Sequence, residues 1–144
     1  MKTTVTQALR MAIVDANLHD HETLVRDLSG HSIDLVGMTT GRAALAGLRK
    51  TAMDVCLIHV QLPDMSGFDL YEMLADVQPM ARRLLITDRY SQAEERRALE
   101  LGAVMYLCKP LQPSWLEQVQ RGPQPPLSAP QWPTWRPHTT TQTP

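Results

Sequence analysis

The sequence predicts an α/β fold, a five-stranded parallel sheet with helices on both faces. Three observations predict it. Five short apolar runs, at residues 9–14, 32–38, 54–60, 84–87 and 104–108, alternate with five stretches of helical spacing. Regular alternation of this kind gives parallel strands joined by right-handed crossovers. The central run, Val55-Cys56-Leu57-Ile58, is unbroken and bounded by Asp54 before it and by Pro63, Asp64, Ser66 and Gly67 after it; a strand apolar on both faces belongs in a sheet covered on both sides. One polar residue, His59, stands where that strand emerges at its carboxyl end, the end at which open α/β sheets bind ligands.

Taken in order, residues 1–8 are a polar lead, and residues 9–14 (LRMAIV) are the first strand, ending at Asp15-Ala16-Asn17. Asp20 is a suitable N-cap for a helix in which Leu24, Val25 and Leu28 share a face, up to the stop signal of Gly30. Residues 32–38 (SIDLVGM) read as the second strand despite an interior glycine. Thr40 caps the second helix, with Ala43, Ala44, Leu45, Ala46 and Leu48 facing inward and Arg49-Lys50 at its negative end. After the third strand, Ser66 caps a helix carrying Phe68, Leu70, Tyr71, Met73 and Leu74, and Pro79 lies in the loop beyond. After the fourth, Ser91 opens a charged helix (Glu94, Glu95, Arg96, Arg97, Glu100) that closes near Gly102. The fifth strand is closed by Lys109-Pro110, and residues 113–119 give a short last helix with Trp115, Leu116 and Val119 on one side.

From Gly122 the composition changes. Seven of the 11 prolines fall within residues 123–144, among Thr, Gln and Ser, too few apolar groups for independent folding. The expected division is a polar lead at 1–8, one domain at 9–121 and a Pro-rich disordered tail or linker at 122–144. The chain of 144 residues, 43% hydrophobic, is long enough for one core. With 14 basic and 15 acidic residues the net charge is -1, which excludes a broad cationic grip on nucleic acid or membrane. No apolar segment has transmembrane or signal-peptide length, so a cytoplasmic protein is expected. Cys56 and Cys108 lie in apolar runs on strands that should not be neighbours, and read as reduced residues.

The short motifs at the strand ends resemble those of the receiver domain of bacterial two-component response regulators. They are the LPDMSG loop at 62–67, Thr87 closing the fourth strand, and Gly102-Ala103 leading to Tyr106-Leu107-Cys108-Lys109-Pro110. The resemblance covers residues 9–119. It implies a CheY-like, flavodoxin-like doubly wound sheet of order 2-1-3-4-5, with the switch point between the first and third strands and with Asp15 and His59 facing one crevice. In that family an acidic pair and an acceptor aspartate bind Mg²⁺, and a hydroxyl residue and a lysine hold the phosphoryl oxygens. By resemblance, Asp15 takes the first acid's position, Ala16 that of the lost second acid, and His59 that of the phosphoacceptor. Thr87 and Tyr106 match the switch residues and Lys109 the phosphate-binding lysine.

Two of the three acids are therefore absent. Mg²⁺ takes hard oxygen ligands and seldom imidazole, so neither metal nor other cofactor is expected. A phosphohistidine at position 59 would form without the metal that supplies most of the catalysis. Lys109 is expected to pair with Asp15, or with Asp88, and His59 also to turn toward Asp15. A metal site using His59, Asp15 and His19 or His21 has too few ligands at suitable spacing.

The function expected is that of a pseudo-receiver, not an enzyme: a phosphorylation-independent protein-interaction module in bacterial signalling or transcription regulation. The alternative is the receiver half of a DNA-binding response regulator whose output domain is absent from this chain. The expected partner is a protein (a signalling protein, kinase or regulator), with neither nucleic acid nor membrane bound directly. The resemblance also implies a homodimer through the fourth helix, fifth strand and fifth helix, where Glu95, Arg96, Glu100, Tyr106 and Trp115 would form the contact surface. Trp132 and Trp135, between the tail's prolines, are candidate anchors.

Overall fold

The computed structural model describes residues 8–28 and 32–121. The expectations for the lead at 1–7, the Gly30 stop, the tail at 122–144 and the anchors Trp132 and Trp135 lie outside the described residues. The chain runs β1 (Leu9–Val14), a 3₁₀ turn (Leu18–His21), α1 (Glu22–Asp27), β2 (Ile33–Met38), α2 (Gly41–Gly47) and β3 (Val55–His59). It continues through α3 (Gly67–Val77), β4 (Arg82–Thr87), α4 (Gln92–Leu101), β5 (Tyr106–Cys108) and α5 (Ser114–Arg121). The five strands form one parallel sheet of order β2-β1-β3-β4-β5. This is the doubly wound order expected, and its reversal lies between β1 and β3.

The period of two along each strand sorts the core into two layers. Ala12, Val14, Cys56, Ile58 and Leu85 face one way, against Ala44 and Leu48, Leu70 and Leu74, and Ala98 of α4. Met11, Ile13, Val55, Leu57, Leu84 and Ile86 face the other way, against Leu24, Leu28, Trp115, Leu116 and Val119. Each buried Val, Leu, Ile or Met among them contributes roughly 1.5–3 kcal/mol. β3 is buried along its whole length, which is why its sequence shows no alternation.

Three helices start where their caps predict. Thr40 Oγ1 accepts from the Ala43 amide at 3.0 Å, Ser66 Oγ from Phe68 at 3.1 Å and Ser91 Oγ from Glu94 at 3.2 Å. α4 ends on Gly102, whose φ of 81° is left-handed and suits glycine. Gly67 is required for a different reason. A Cβ there would lie 1.8 Å from the His59 carbonyl oxygen, so only glycine lets α3 begin against the end of β3.

Other expectations are corrected. Asp20 caps no helix: it lies in the 3₁₀ turn, and α1 begins after His21 with no side-chain cap. Val25 is 40% exposed, and only Leu24 and Leu28 of its expected face are buried. Ala43 and Ala46 are exposed because a helix as short as α2 turns only Ala44 and Leu48, one turn apart, fully onto the sheet. Met73 is 45% exposed, off the stripe of Leu70, Tyr71 and Leu74. β4 begins earlier than its apolar run, at Arg82 and Arg83; Arg83 stacks over the Tyr71 ring, 4.0 Å from its centroid, and donates to the Tyr71 carbonyl. β5 begins later, at Tyr106. Among the described residues, no helix is long and apolar enough to cross a membrane.

Candidate functional site

The register that pairs Val14 with Ile58 and His59 with Ile86 brings the ends of β1, β3 and β4 together. Asp15 follows β1 and is 2% exposed; His59 ends β3 and is 5% exposed. Lys109, at the end of β5, is held by its own amide, which donates to the Thr87 carbonyl at 2.8 Å. Its ammonium lies 2.6 Å from Asp15 Oδ2, 2.8 Å from Asp20 Oδ2 and 3.0 Å from Asp88 Oδ1. One cation therefore serves three carboxylates, contributed by β1, the 3₁₀ turn and the β4–α4 loop.

Asp15 is the best satisfied of the three. Its Oδ2 also receives His21 Nε2 at 2.7 Å, and its Oδ1 accepts from the Asn17 amide at 2.9 Å. Burial by itself would raise the Asp15 carboxyl. The bonds from His21, Lys109 and Asn17 outweigh it and hold the group well below the ordinary carboxylate range. Burial likewise works against the charge on Lys109, but Asp15, Asp20 and Asp88 together raise its pKa above the ordinary lysine value. Asp88, mostly exposed, is lowered chiefly by Lys109.

His59 does not turn toward Asp15 as expected; that position is taken by His21 and Lys109. Its Nδ1 lies 3.0 Å from the Gln61 amide and 2.9 Å from the Gln61 carbonyl oxygen. Its Nε2 is 3.2 Å from Asp88 Oδ1, yet lacks the alignment of a hydrogen bond and is buried without a hydrogen-bond partner. The loop beyond His59 is tied to α2: Asp64 accepts from the Gly41 amide at 2.8 Å and the Arg42 amide at 2.9 Å, bonds that lower its pKa.

Thr87 and Tyr106 are both buried. Thr87 donates to the Arg89 carbonyl at 3.1 Å. The Tyr106 hydroxyl donates to Glu94 Oε1 at 2.6 Å and accepts from the Ser91 amide at 3.1 Å. Burial and Glu94 raise its pKa, keeping it protonated. The expected contact surface is corrected accordingly. Tyr106 is 3% exposed and points inward, Glu95 is 8% exposed and accepts from Tyr90 at 2.5 Å, and Trp115 is 1% exposed within the core beneath α5. Only Arg96 and Glu100 of that set are exposed.

Sequence reasoning gave Asp20 a capping role and His21 only a metal role, read Glu94 only as part of a charged helix, and gave Gln61 no role. Asp20, His21 and Glu94 act on partners in other elements, and Gln61, two residues from His59, acts through its backbone, which its residue type does not reveal. His19 is exposed and pairs with Glu22 at 3.0 Å, away from the crevice. The cysteines are free, and burial pushes Cys56 up to about 12 and raises Cys108 as well, so neither is a thiolate nucleophile.

The donor set does not suit Mg²⁺. Only Asp15 remains of the three carboxylates the resemblance implies; Ala16 offers no ligand, and His59 offers an imidazole that Mg²⁺ seldom accepts. The Lys109 ammonium already stands among the oxygens a cation would use. Among the described residues, no group of three or more His, Cys, Asp or Glu is arranged to hold a metal ion.

Residues 11–121 match the family profile described as the response regulator receiver domain. The transcriptional regulatory protein CreB of Escherichia coli (strain K12) is 34% identical over 92 residues, 64% of this chain and 40% of that protein. The chain spans at most 40% of the first curated relatives it matches. Among solved structures, the signal receiver domain of an HD domain-containing protein from Pseudomonas fluorescens Pf-5 aligns with a TM-score of 0.72 at 25% identity, covering 83% of this chain and 89% of that one. A response regulator from Burkholderia pseudomallei with a phosphorylated aspartic acid, calcium ion and citrate aligns with a TM-score of 0.70 at 28% identity, over 78% and 66% of the two chains.

Proposed function

Because this chain belongs to the response regulator receiver domain family, we propose that it is a receiver without a phosphoacceptor, working as a phosphorylation-independent protein-interaction module in bacterial signalling or transcription regulation. The observation that carries this reading is the Lys109 ammonium shared by Asp15, Asp20 and Asp88, with an imidazole at position 59. The positive charge that balances the crevice belongs to the chain itself. Of the family's three acid positions Ala16 and His59 leave only Asp15 for a divalent ion, and position 59 has no carboxylate to accept a phosphoryl group.

In this reading the chain's residues hold one state rather than switching between two by phosphorylation. Lys109 joins the ends of β1 and β5, and through Asp88 it reaches the loop before α4. Tyr106 is held inward by Glu94 and Ser91, which fixes the start of α4 on β5. What is then read is a surface, and the partner is a protein: a signalling protein, a kinase or another regulator. Arg96 and Glu100 on α4 are the exposed charges for such a contact, including contact with a second copy. A cytoplasmic setting accords with two free cysteines, and the net charge of -1 speaks against direct binding of nucleic acid.

A second reading makes the chain the receiver half of a DNA-binding regulator. It is favoured by the match to CreB, a transcriptional regulatory protein of which the chain spans 40%. Both readings share the altered site, which one experiment tests. The native protein and the double variant Ala16→Asp with His59→Asp are incubated with acetyl phosphate and Mg²⁺ and mapped by mass spectrometry. The double variant is expected to acquire a labile phosphoryl group at position 59, and the native protein none. A phosphoryl group on His59 of the native protein refutes the proposal.

A further inference from the structure

We propose that His59 is a proton-binding input, and that its protonation state sets the conformation of the β3–α3 loop. The juxtaposition behind this is the placement of one ring nitrogen, Nδ1, midway between a donor and an acceptor of the same residue, the Gln61 amide at 3.0 Å and the Gln61 carbonyl at 2.9 Å. The two contacts exclude each other. A neutral imidazole whose proton is on Nε2 uses Nδ1 as an acceptor for the Gln61 amide. An imidazolium carries protons on both nitrogens, so Nδ1 must donate to the Gln61 carbonyl and the Gln61 amide loses its acceptor. From the Nε2–H tautomer, whose proton is on the side of Asp88 Oδ1, protonation therefore exchanges one backbone hydrogen bond for another at a fixed point of the loop.

The surroundings make the second state accessible. Nε2 is buried and unpartnered, 3.2 Å from Asp88 Oδ1, so an added charge has a carboxylate beside it. The charged and titratable groups around the ring come from every neighbouring loop. Asp15 follows β1, Asp20 and His21 come from the 3₁₀ turn, Asp88 follows β4 and Lys109 follows β5; Asp64 lies in the loop itself. Three carboxylates face one ammonium across this crevice. A charged His59 favours ionised Asp15 and Asp88.

The loop carries the change outward. Gln61 bridges to Ser66, the cap of α3. The Gly67 amide donates to the Val60 carbonyl at 2.8 Å, and Leu62 donates to Met65 at 3.1 Å. Between them Asp64 holds the first amides of α2. A new bond at Gln61 thus acts on the start of α3 and, through Asp64, on the start of α2. The ligand is a proton, and histidine is the side chain whose charge ordinarily changes across the physiological range.

This inference rests on position 59 carrying no phosphoryl group, and its test uses neither phosphoryl donor nor metal, so its failure leaves that reading untouched. Two-dimensional NMR of the full chain is recorded between about pH 5 and 8, spanning ordinary imidazole titration. The amides of Gln61, Leu62, Gly41 and Arg42 are expected to shift with the midpoint of the His59 ring signals. Their shifts should vanish in His59→Gln and survive in His21→Asn. Loop amides that stay fixed, that follow the His21 midpoint, or that still titrate in His59→Gln overturn the proposal. If His59→Gln fails to fold, the match of midpoints in the native protein decides alone.

Discussion

Lys109 sets the electrostatics of the crevice, and its removal has a calculable direction. In Lys109→Met, Asp15 keeps His21 and the Asn17 amide but loses its ammonium while 2% exposed. Breaking a buried pair from one side leaves an uncompensated charge, so the variant should lose about 3 kcal/mol at neutral pH, measured by urea unfolding. The pH dependence has a definite sign. The Asp15 carboxyl is depressed below its ordinary 3.8, so its contribution is present above that value and is lost as the pH falls through the lower folded one. The Lys109 ammonium is raised above its ordinary 10.5, so its contribution is present below that value and is lost as the pH rises through the higher folded one. Between these limits the native pair contributes a constant amount. The deficit of Lys109→Met should therefore narrow below about pH 4, where the carboxylates take up protons. A deficit that is unchanged in acid would mean that lost packing, not lost charge, destabilises the variant.

At this scale the sequence was partly legible. Asp15, His59, Thr87 and Lys109 lie at neighbouring strand ends, because each closes or follows a strand and strand ends are set by topology, whereas Tyr106 opens β5. Where each side chain points was not legible. His59 was expected on Asp15 and instead faces Asp88 and Gln61, since Asp15 is already saturated by a histidine and a lysine from other elements.

Among the elements, local signals read well and tertiary roles poorly. The caps Thr40, Ser66 and Ser91 were legible because a capping oxygen and the amide it serves are two or three residues apart. Gly102 was legible as a stop for the same local reason, and its φ of 81° makes a direct prediction. Gly102→Ala should cost about 1 kcal/mol, the ordinary penalty of a Cβ in the left-handed region, read as a lower urea midpoint with an unchanged slope. No loss would mean that the end of α4 reorganises without strain. By contrast Asp20, read as a cap, serves Lys109, because the 3₁₀ turn aims it at the crevice. Arg82 and Arg83 hid the start of β4, since a strand whose arginine stacks on a neighbouring ring carries no apolar signature there.

For the molecule as a whole, the alternation of strand and helix was enough to give the layers, and a resemblance of motifs was enough for the strand order. The interaction surface was where that reasoning failed. Trp115 was placed on the surface by its kind, although its spacing with Leu116 and Val119 already marked a core-facing stripe. Tyr106 and Glu95 were placed there by position, although each has an inward hydrogen-bond partner. What remains outside is a mixed-charge α4 with Arg96 and Glu100, above a site whose cation is its own lysine. The most direct measurement of that account is the NMR spectrum of the native protein with and without Mg²⁺ and beryllofluoride, a phosphoryl mimic. The two spectra should superimpose at Asn17, Gln61, Thr87, Tyr106 and Lys109. Saturable shifts at these residues would show that the crevice accepts a metal and a phosphoryl group after all, and would contradict it.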